Sequence, residues 1–213
     1  MIYAQPKIEM IRDKFYALIW HDVYSLMEFT ATFLDEMLLS KRKRFINDCN
    51  FFMERENAAY RFVGDQISPI TSVTEINEIE LSLVAKDEAA VHIESALTLL
   101  SNKEKDQSRE SIGQSISAVE AKAKKVVGNT KATLAELCQK LKIIPQHDQL
   151  VKALHNLYNY TSGKDGIRHG LTEESMPVNP ALARFMLVTC SAFVNLIESE
   201  TELSPQKIAE HTS

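Results

Sequence analysis

The sequence predicts an all-α protein with N-terminal helices, one short β-hairpin and a helical bundle after it. Apolar residues recur at three- and four-residue spacing through most of the 213 residues, which is the period of an amphipathic helix. Only 6 Gly and 6 Pro are present, too few for the many turns of a sandwich or barrel. A hydrophobic content of 45% with 25% charged residues is typical of a globular chain that buries a sizeable core.

The first elements are helices. Apolar spacing predicts one or two of them over residues 7–38, with a break near His21 and Asp22, and another over 45–57. Between them lies the basic run 41–44. We interpret this run as a solvated corner between helices, and the alternative is a phosphate-binding patch.

Residues 59–70 predict the one β-hairpin. Two short apolar runs, one before Gly64 and one after Asp65, are joined by a two-residue turn signal. Pro69 cannot donate a ladder hydrogen bond, so we expect its strand at an edge. One hairpin cannot form a stable sheet alone and must pack on helices.

The remaining elements are predicted as helices over 71–85, 88–102, 108–128, 131–141, 148–160 and 180–200. Thr71, Ser72 or Thr74 is suited to cap the first of them, and Gly128 closes the third. Asn179 caps the last helix, with Pro180 at its first position. Because this last helix is apolar nearly all round, we expect it in the centre of a bundle or in a subunit interface.

These patterns divide the chain into three parts. Residues 1–84 hold the N-terminal helices and the hairpin, residues 85–200 form the bundle, and residues 201–213 are expected to be a flexible tail.

The 108–128 helix carries two charges beside its apolar stripe. Arg109 and Glu120 are eleven residues apart, so they share nearly the same azimuth but lie about 16 Å apart along the axis. They cannot neutralise each other, and each needs a polar partner from another segment or subunit. The candidate partners are Asp165, Arg168, His169 and Arg184. Gly113 shares this face, and we expect it to admit another backbone closely.

Several functional classes are disfavoured. The net charge of −5 gives no global attraction to nucleic acid. Cys49, Cys138 and Cys190 form neither a CxxC nor a zinc-binding spacing, which indicates a reduced compartment and predicts no metal. No phosphate-binding glycine loop occurs, so no cofactor is expected. No apolar run reaches the ~18–20 residues of a membrane helix, and no signal peptide is recognisable. We therefore expect a cytoplasmic protein without a membrane partner.

Three segments together resemble a known bacterial family. "SRESIGQSISAVEA", then "LYNYTSGKDGIRHG", then "ARFMLVTCSAFVNLIE" are similar to the abortive-infection AbiJ-type proteins, whose C-terminal part belongs to the HEPN superfamily. "FINDCNFFMERENAAYRFVGDQISPIT" resembles the AbiJ N-terminal region. The resemblance covers roughly residues 7–198. It implies a HEPN-like bundle, a role in phage defence and metal-independent RNA cleavage across a homodimer interface.

The resemblance also implies a site in the loop at 161–170. His169 would move the proton and Arg168 would stabilise the charged phosphorane, both as catalytic residues. Arg109 and Lys164 would contact phosphate, with Glu120 and Asp165 in support. Family ribonucleases carry an Arg, four to six residues, then a His. Here none of the residues at the corresponding positions before His169, which are Ser162, Gly163, Lys164 and Asp165, is an Arg, so the pattern is incomplete.

Two hypotheses therefore stay open. The first is a HEPN-type endoribonuclease centred on Arg168 and His169. The second is a non-catalytic interaction or sensor protein that binds nucleic acid, nucleotide or a partner protein of a defence system. In the second, Arg168 and His169 serve a structural network.

Overall fold

The computed structural model describes residues 5–37, 39–128, 148–162 and 178–203. These residues form helices and one short hairpin, which confirms the predicted all-α class with a single β-hairpin. The chain divides into two compact units between Pro69 and Ile70. The predicted helix at 131–141 and the predicted tail after residue 203 lie outside the described residues.

The first unit begins with three helices: α1 (Gln5–Tyr16), α2 (Trp20–Met37) and α3 (Leu39–Arg55). The predicted break in the first helical segment is real but lies at residues 17–19, just before the predicted position. The basic run 41–44 lies inside α3, so its interpretation as a corner between helices is wrong. Lys and Arg are good helix formers, and the helix begins before them.

The hairpin follows the predicted turn. β1 (Arg61–Val63) pairs with antiparallel β2 (Gln66–Ser68), and Phe62 lies opposite Ile67. Gly64 has a φ of 57°, and no positive φ occurs at the next residue. This is the pattern of a type II′ turn, which needs glycine at its first central position.

The hairpin packs on α2 and α3, as its small size requires. Phe62 and Ile67 are fully buried with Ala31 and Met53. The free edge of β1 is covered by one side chain: the Asn50 amide donates to the Phe62 carbonyl at 3.1 Å, and its oxygen accepts from the Phe62 amide at 2.7 Å. Asn50 thus satisfies both outward-facing backbone groups of the strand.

The second unit contains five helices among the residues that the structure describes. They are α4 (Val73–Leu83), α5 (Glu88–Leu100), α6 (Ser108–Val127), α7 (Asp148–Ser162) and α8 (Pro180–Leu203). Predicted caps are confirmed: the Ser72 hydroxyl accepts from the Glu75 amide, and Asn179 accepts from the Leu182 amide at 2.9 Å. Gly128 ends α6 in the left-handed conformation, with φ of 69°.

Helix α8 is the central helix of this unit, packed against α4, α5 and α6. Its buried side is a continuous stripe formed by Ala183, Met186, Leu187, Cys190, Ser191, Val194 and Ile197. Residues Pro180–Ser199 are long and apolar enough to cross a membrane by length and composition, contrary to the expectation from the sequence. The packing on three helices accounts for the apolar stripe that this helix buries.

Candidate functional site

Helix α6 presents the two charges singled out by the sequence at the edge of its buried face. Arg109 and Glu120 are both half-buried, and each takes part in an interaction in the structure. The predicted partners Asp165, Arg168 and His169 lie outside the described residues, as does Lys164. The predicted arrangement of the catalytic loop around these two charges therefore stays a prediction.

The buried face of α6 is not centred on the large apolar residues of that helix. Ser111, Ser115 and Ala118 are buried together with the isoleucines, and the Ser111 hydroxyl donates to the Ala96 carbonyl at 2.7 Å. These small residues let α5 approach closely. The buried face is consequently rotated by roughly 50° away from Arg109 and Glu120.

Gly113 does not serve the close approach that its position suggested. Among the described residues, no atom lies within 4 Å of a Cβ placed at Gly113. The rotation of the buried face explains this, because it directs the serine side of α6 at α5 and leaves Gly113 half-exposed.

Because the buried face of α6 is rotated, a different charged residue of this helix, Lys122, lies in the core. Lys122 is 1% exposed, and its ammonium lies 3.0 Å from the Asp87 carboxylate and in contact with Glu198 of α8. Lys125 donates to the same Asp87 oxygen at 2.9 Å. We call these four residues the Lys122 cluster; it joins the start of α5, the end of α6 and the end of α8.

Asp87 is the centre of the Lys122 cluster. Its other oxygen accepts from the Ala90 amide at 3.2 Å and so caps α5. Burial raises the pKa of Asp87, but hydrogen bonds from Lys125, Lys122 and the Ala90 amide outweigh it and lower that pKa to about 2. The carboxylate is therefore held ionised, as a structural ion pair requires. The sequence contained the signal, since Lys122 follows Val119 by three residues on the apolar side.

The described cysteines are unsuited to catalysis. Burial raises the pKa of the Cys190 thiol to about 12. Burial, and then the nearby Asp48 charge, also raises the pKa of Cys49. A thiol that stays protonated is a poor nucleophile and a poor metal ligand.

The other polar candidates have structural partners. Arg42, within the basic run, pairs with Asp65 at the tip of the hairpin. Arg44 lies 3.7 Å from Asp48 on the same helix. His92 is within hydrogen-bond distance, 2.7 Å, of Gln114. In the described part of the chain, no group of three or more His, Cys, Asp or Glu could hold a metal ion.

A small depression of about 210 Å³ lies between the α5–α6 loop and the start of α8. It is lined by Lys103, Lys105, Asp106 and Ser108 with Pro180. The Ser108 hydroxyl and amide both donate to Asp106, at 2.5 and 2.9 Å, and these bonds lower the Asp106 pKa. The carboxylate thus occupies the start of α6 where an external anion would otherwise bind.

Comparison with known proteins relates the first part of the chain to a described family. No curated protein and no solved structure shows significant similarity to the chain. Residues 2–84, the segment that includes the hairpin and α1 to α4, match the model of the family described as AbiJ N-terminal domain 4, which supports the AbiJ-type resemblance of the chain.

Proposed function

We propose that this protein acts in abortive-infection phage defence in the bacterial cytoplasm. The observation that carries the proposal is the match of residues 2–84 to AbiJ N-terminal domain 4. It agrees with the independent resemblance of the later segments, "LYNYTSGKDGIRHG" above all, to the same kind of protein. The expected outcome is that bacteria expressing the chain show a lower plating efficiency of some phages than bacteria with an empty vector.

Within this role, the helical unit is a HEPN-like domain that cleaves RNA without a metal. His169 takes the proton from the attacking 2′-hydroxyl and delivers a proton to the departing 5′-oxygen as the P–O5′ bond breaks, which leaves a 2′,3′-cyclic phosphate, and Arg168 stabilises the phosphorane. Lys164 and Arg109 contact phosphate, while Glu120 and Asp165 orient the loop. Two copies would pair their loops in one cleft.

A second candidate function is non-catalytic binding of nucleic acid, nucleotide or a partner protein, with Arg168 and His169 serving a structural network. The incomplete motif favours it, since no Arg stands four to six residues before His169. The net charge of −5 also favours a local contact over a long nucleic-acid track. The phage-defence role is common to both candidates.

Incubation with total RNA and with tRNA in EDTA separates the two. A ribonuclease cleaves under these conditions, and His169→Ala lowers the rate by about 10²–10⁴-fold, the usual contribution of a general acid–base group. His21→Ala, which changes a histidine of α2, is the matched control and keeps the wild-type rate. Undiminished cleavage by His169→Ala would contradict the assignment. Wild-type protein that binds but does not cut RNA would favour the second candidate.

A further inference from the structure

Helix α2 is apolar on two opposite sides. One side, with Met27 and Ala31, packs against the hairpin and α3. The other side, here called the α2 outer face, carries Leu26, Phe29 and Phe33, which are 41%, 67% and 50% exposed. The rings of Phe29 and Phe33 stack on each other at 6.4 Å between centroids. A helix that is apolar on both sides is normally covered on both.

Helix α1 carries an exposed apolar stripe with a defined charge pattern. Ile11 and Phe15, the α1 stripe, are 63% and 39% exposed. By helical geometry Arg12 and Lys14 lie about 80° to either side of this stripe, and Asp13 lies opposite it. The stripe is thus bordered by Lys14 on one side and by Arg12 on the other, where the Arg12 guanidinium also pairs with Asp13 at 3.4 Å.

The α2 outer face has the complementary charge. Helix α2 contains four acidic residues and neither Lys nor Arg. Asp22, four residues before Leu26, falls on the outer face by helical spacing. Two α2 outer faces packed on each other would bring like charges together. A segment with an apolar stripe and basic borders is the better fit.

We propose that the α2 outer face binds the α1 stripe of a second copy of this chain. A twofold axis makes the contact reciprocal, so that each copy gives its α1 and receives its partner's. The five exposed side chains represent roughly 500 Å² of apolar surface per copy. Two copies would then bury about 1,000 Å², which matches the apolar share of a standard interface of about 1,600 Å². This inference does not rest on the proposed ribonuclease activity.

Charge-reversed copies test the pairing directly. One variant reverses the charge of the α1 borders with Arg12→Glu and Lys14→Glu, and the other reverses the charge of the α2 outer face with Asp22→Lys. The wild-type chain is expected at twice its mass of 24.1 kDa by light scattering. Each variant alone opposes like charges at both contacts, and its dimer dissociation constant should rise by about tenfold or more. An equimolar mixture opposes unlike charges at both contacts and is expected to form the heterodimer.

The mixture separates a second copy from the chain's own α1. If α1 folds back on α2 of the same chain, the mixture forms no more dimer than either variant alone, and the proposal is overturned. Controls reverse exposed charges elsewhere, with Lys43→Glu on α3 and Glu94→Lys on α5, and should leave the mass unchanged.

Removing the apolar contact gives a second readout. Phe29→Ser with Phe33→Ser replaces exposed rings, so the fold should persist by circular dichroism while the dimer dissociation constant rises by about tenfold or more. Phe51→Ser with Phe52→Ser removes equally exposed rings from α3 and should keep the dimer. A wild-type monomer at micromolar concentration would exclude the proposal. The proposal would also be excluded if the Phe51→Ser, Phe52→Ser variant of α3 dissociated the dimer and the Phe29→Ser, Phe33→Ser variant did not.

Discussion

At the scale of single residues, the most constrained charges of this protein are those of the Lys122 cluster. A buried ammonium costs several kcal/mol in desolvation and is tolerated only when carboxylates surround it. Here Asp87 and Glu198 contact Lys122, and Lys125 shares Asp87. The cluster ties three helix ends together, so its loss affects the second unit as a whole.

The pH dependence of stability is expected to follow Asp87. Its folded pKa of about 2 lies below its ordinary value of 3.8, so the stabilisation is complete above pH 4 and is lost as the pH falls toward 2. Asp87→Asn keeps an oxygen that can cap α5 but removes the charge. Urea unfolding should show the wild type more stable than Asp87→Asn by about 2 kcal/mol at pH 6.

The difference in the free energy of unfolding between the wild type and Asp87→Asn should become smaller below pH 4. A gap that stays constant to the lowest pH at which both proteins fold would contradict the role given to the carboxylate. Glu94→Gln, at an exposed position of α5, is the control and should show no gap at any pH.

At the scale of elements, local patterns predicted most helices and the hairpin because each has a local cause. The Gly64 turn, the Asn179 cap and the Gly128 end are properties of a few neighbouring residues. The face that α6 buries has a non-local cause. Large apolar residues indicated one azimuth, but the small serines that admit α5 decide the actual one. For that reason the sequence pointed to Arg109 and Glu120 and missed Lys122.

Substitution by alanine is expected to change stability in opposite directions at two glycines, Gly113 within α6 and Gly128 at its end. Gly113 has an ordinary helical φ and, among the described residues, open space where a Cβ would lie. Gly113→Ala should raise the free energy of unfolding by about 0.5–1 kcal/mol, because alanine loses less backbone entropy in a helix.

Gly128 at the end of the same helix is the matched comparison. Its φ of 69° is left-handed, so Gly128→Ala should lower stability by about 1 kcal/mol. Thermal melts of both variants beside the wild type check the pair. A Gly113→Ala protein that melts below the wild type would indicate that another segment does approach this position.

At the scale of the whole molecule, the family match and the compact units assign α4 to different parts of the chain. The match to AbiJ N-terminal domain 4 ends at residue 84, which includes α4. The compact units instead divide between Pro69 and Ile70, because α4 packs on α5 and α8. Asn195 of α8 donates to the Glu78 carbonyl and carboxylate, both at 2.9 Å. No pattern within residues 71–85 could have predicted a contact with a residue more than a hundred positions later.

Two fragments are expected to reveal which division governs folding. Residues 70–213 keep α4 on α8, whereas residues 85–213 remove it and expose the apolar surface that covers Ile76 and Ile79. Burying an isoleucine is worth about 1.5–3 kcal/mol, so the shorter fragment should be less stable by about 3–6 kcal/mol. It also leaves the Asn195 amide without its partners on α4. Urea unfolding of both fragments, followed by helical circular dichroism, measures this difference.

Ile79→Ala in the longer fragment should reproduce part of the loss of stability, whereas Leu81→Ala, at an exposed position of the same helix, should not. Equal stability of the two fragments would show that the sequence boundary at residue 84 is also the folding boundary.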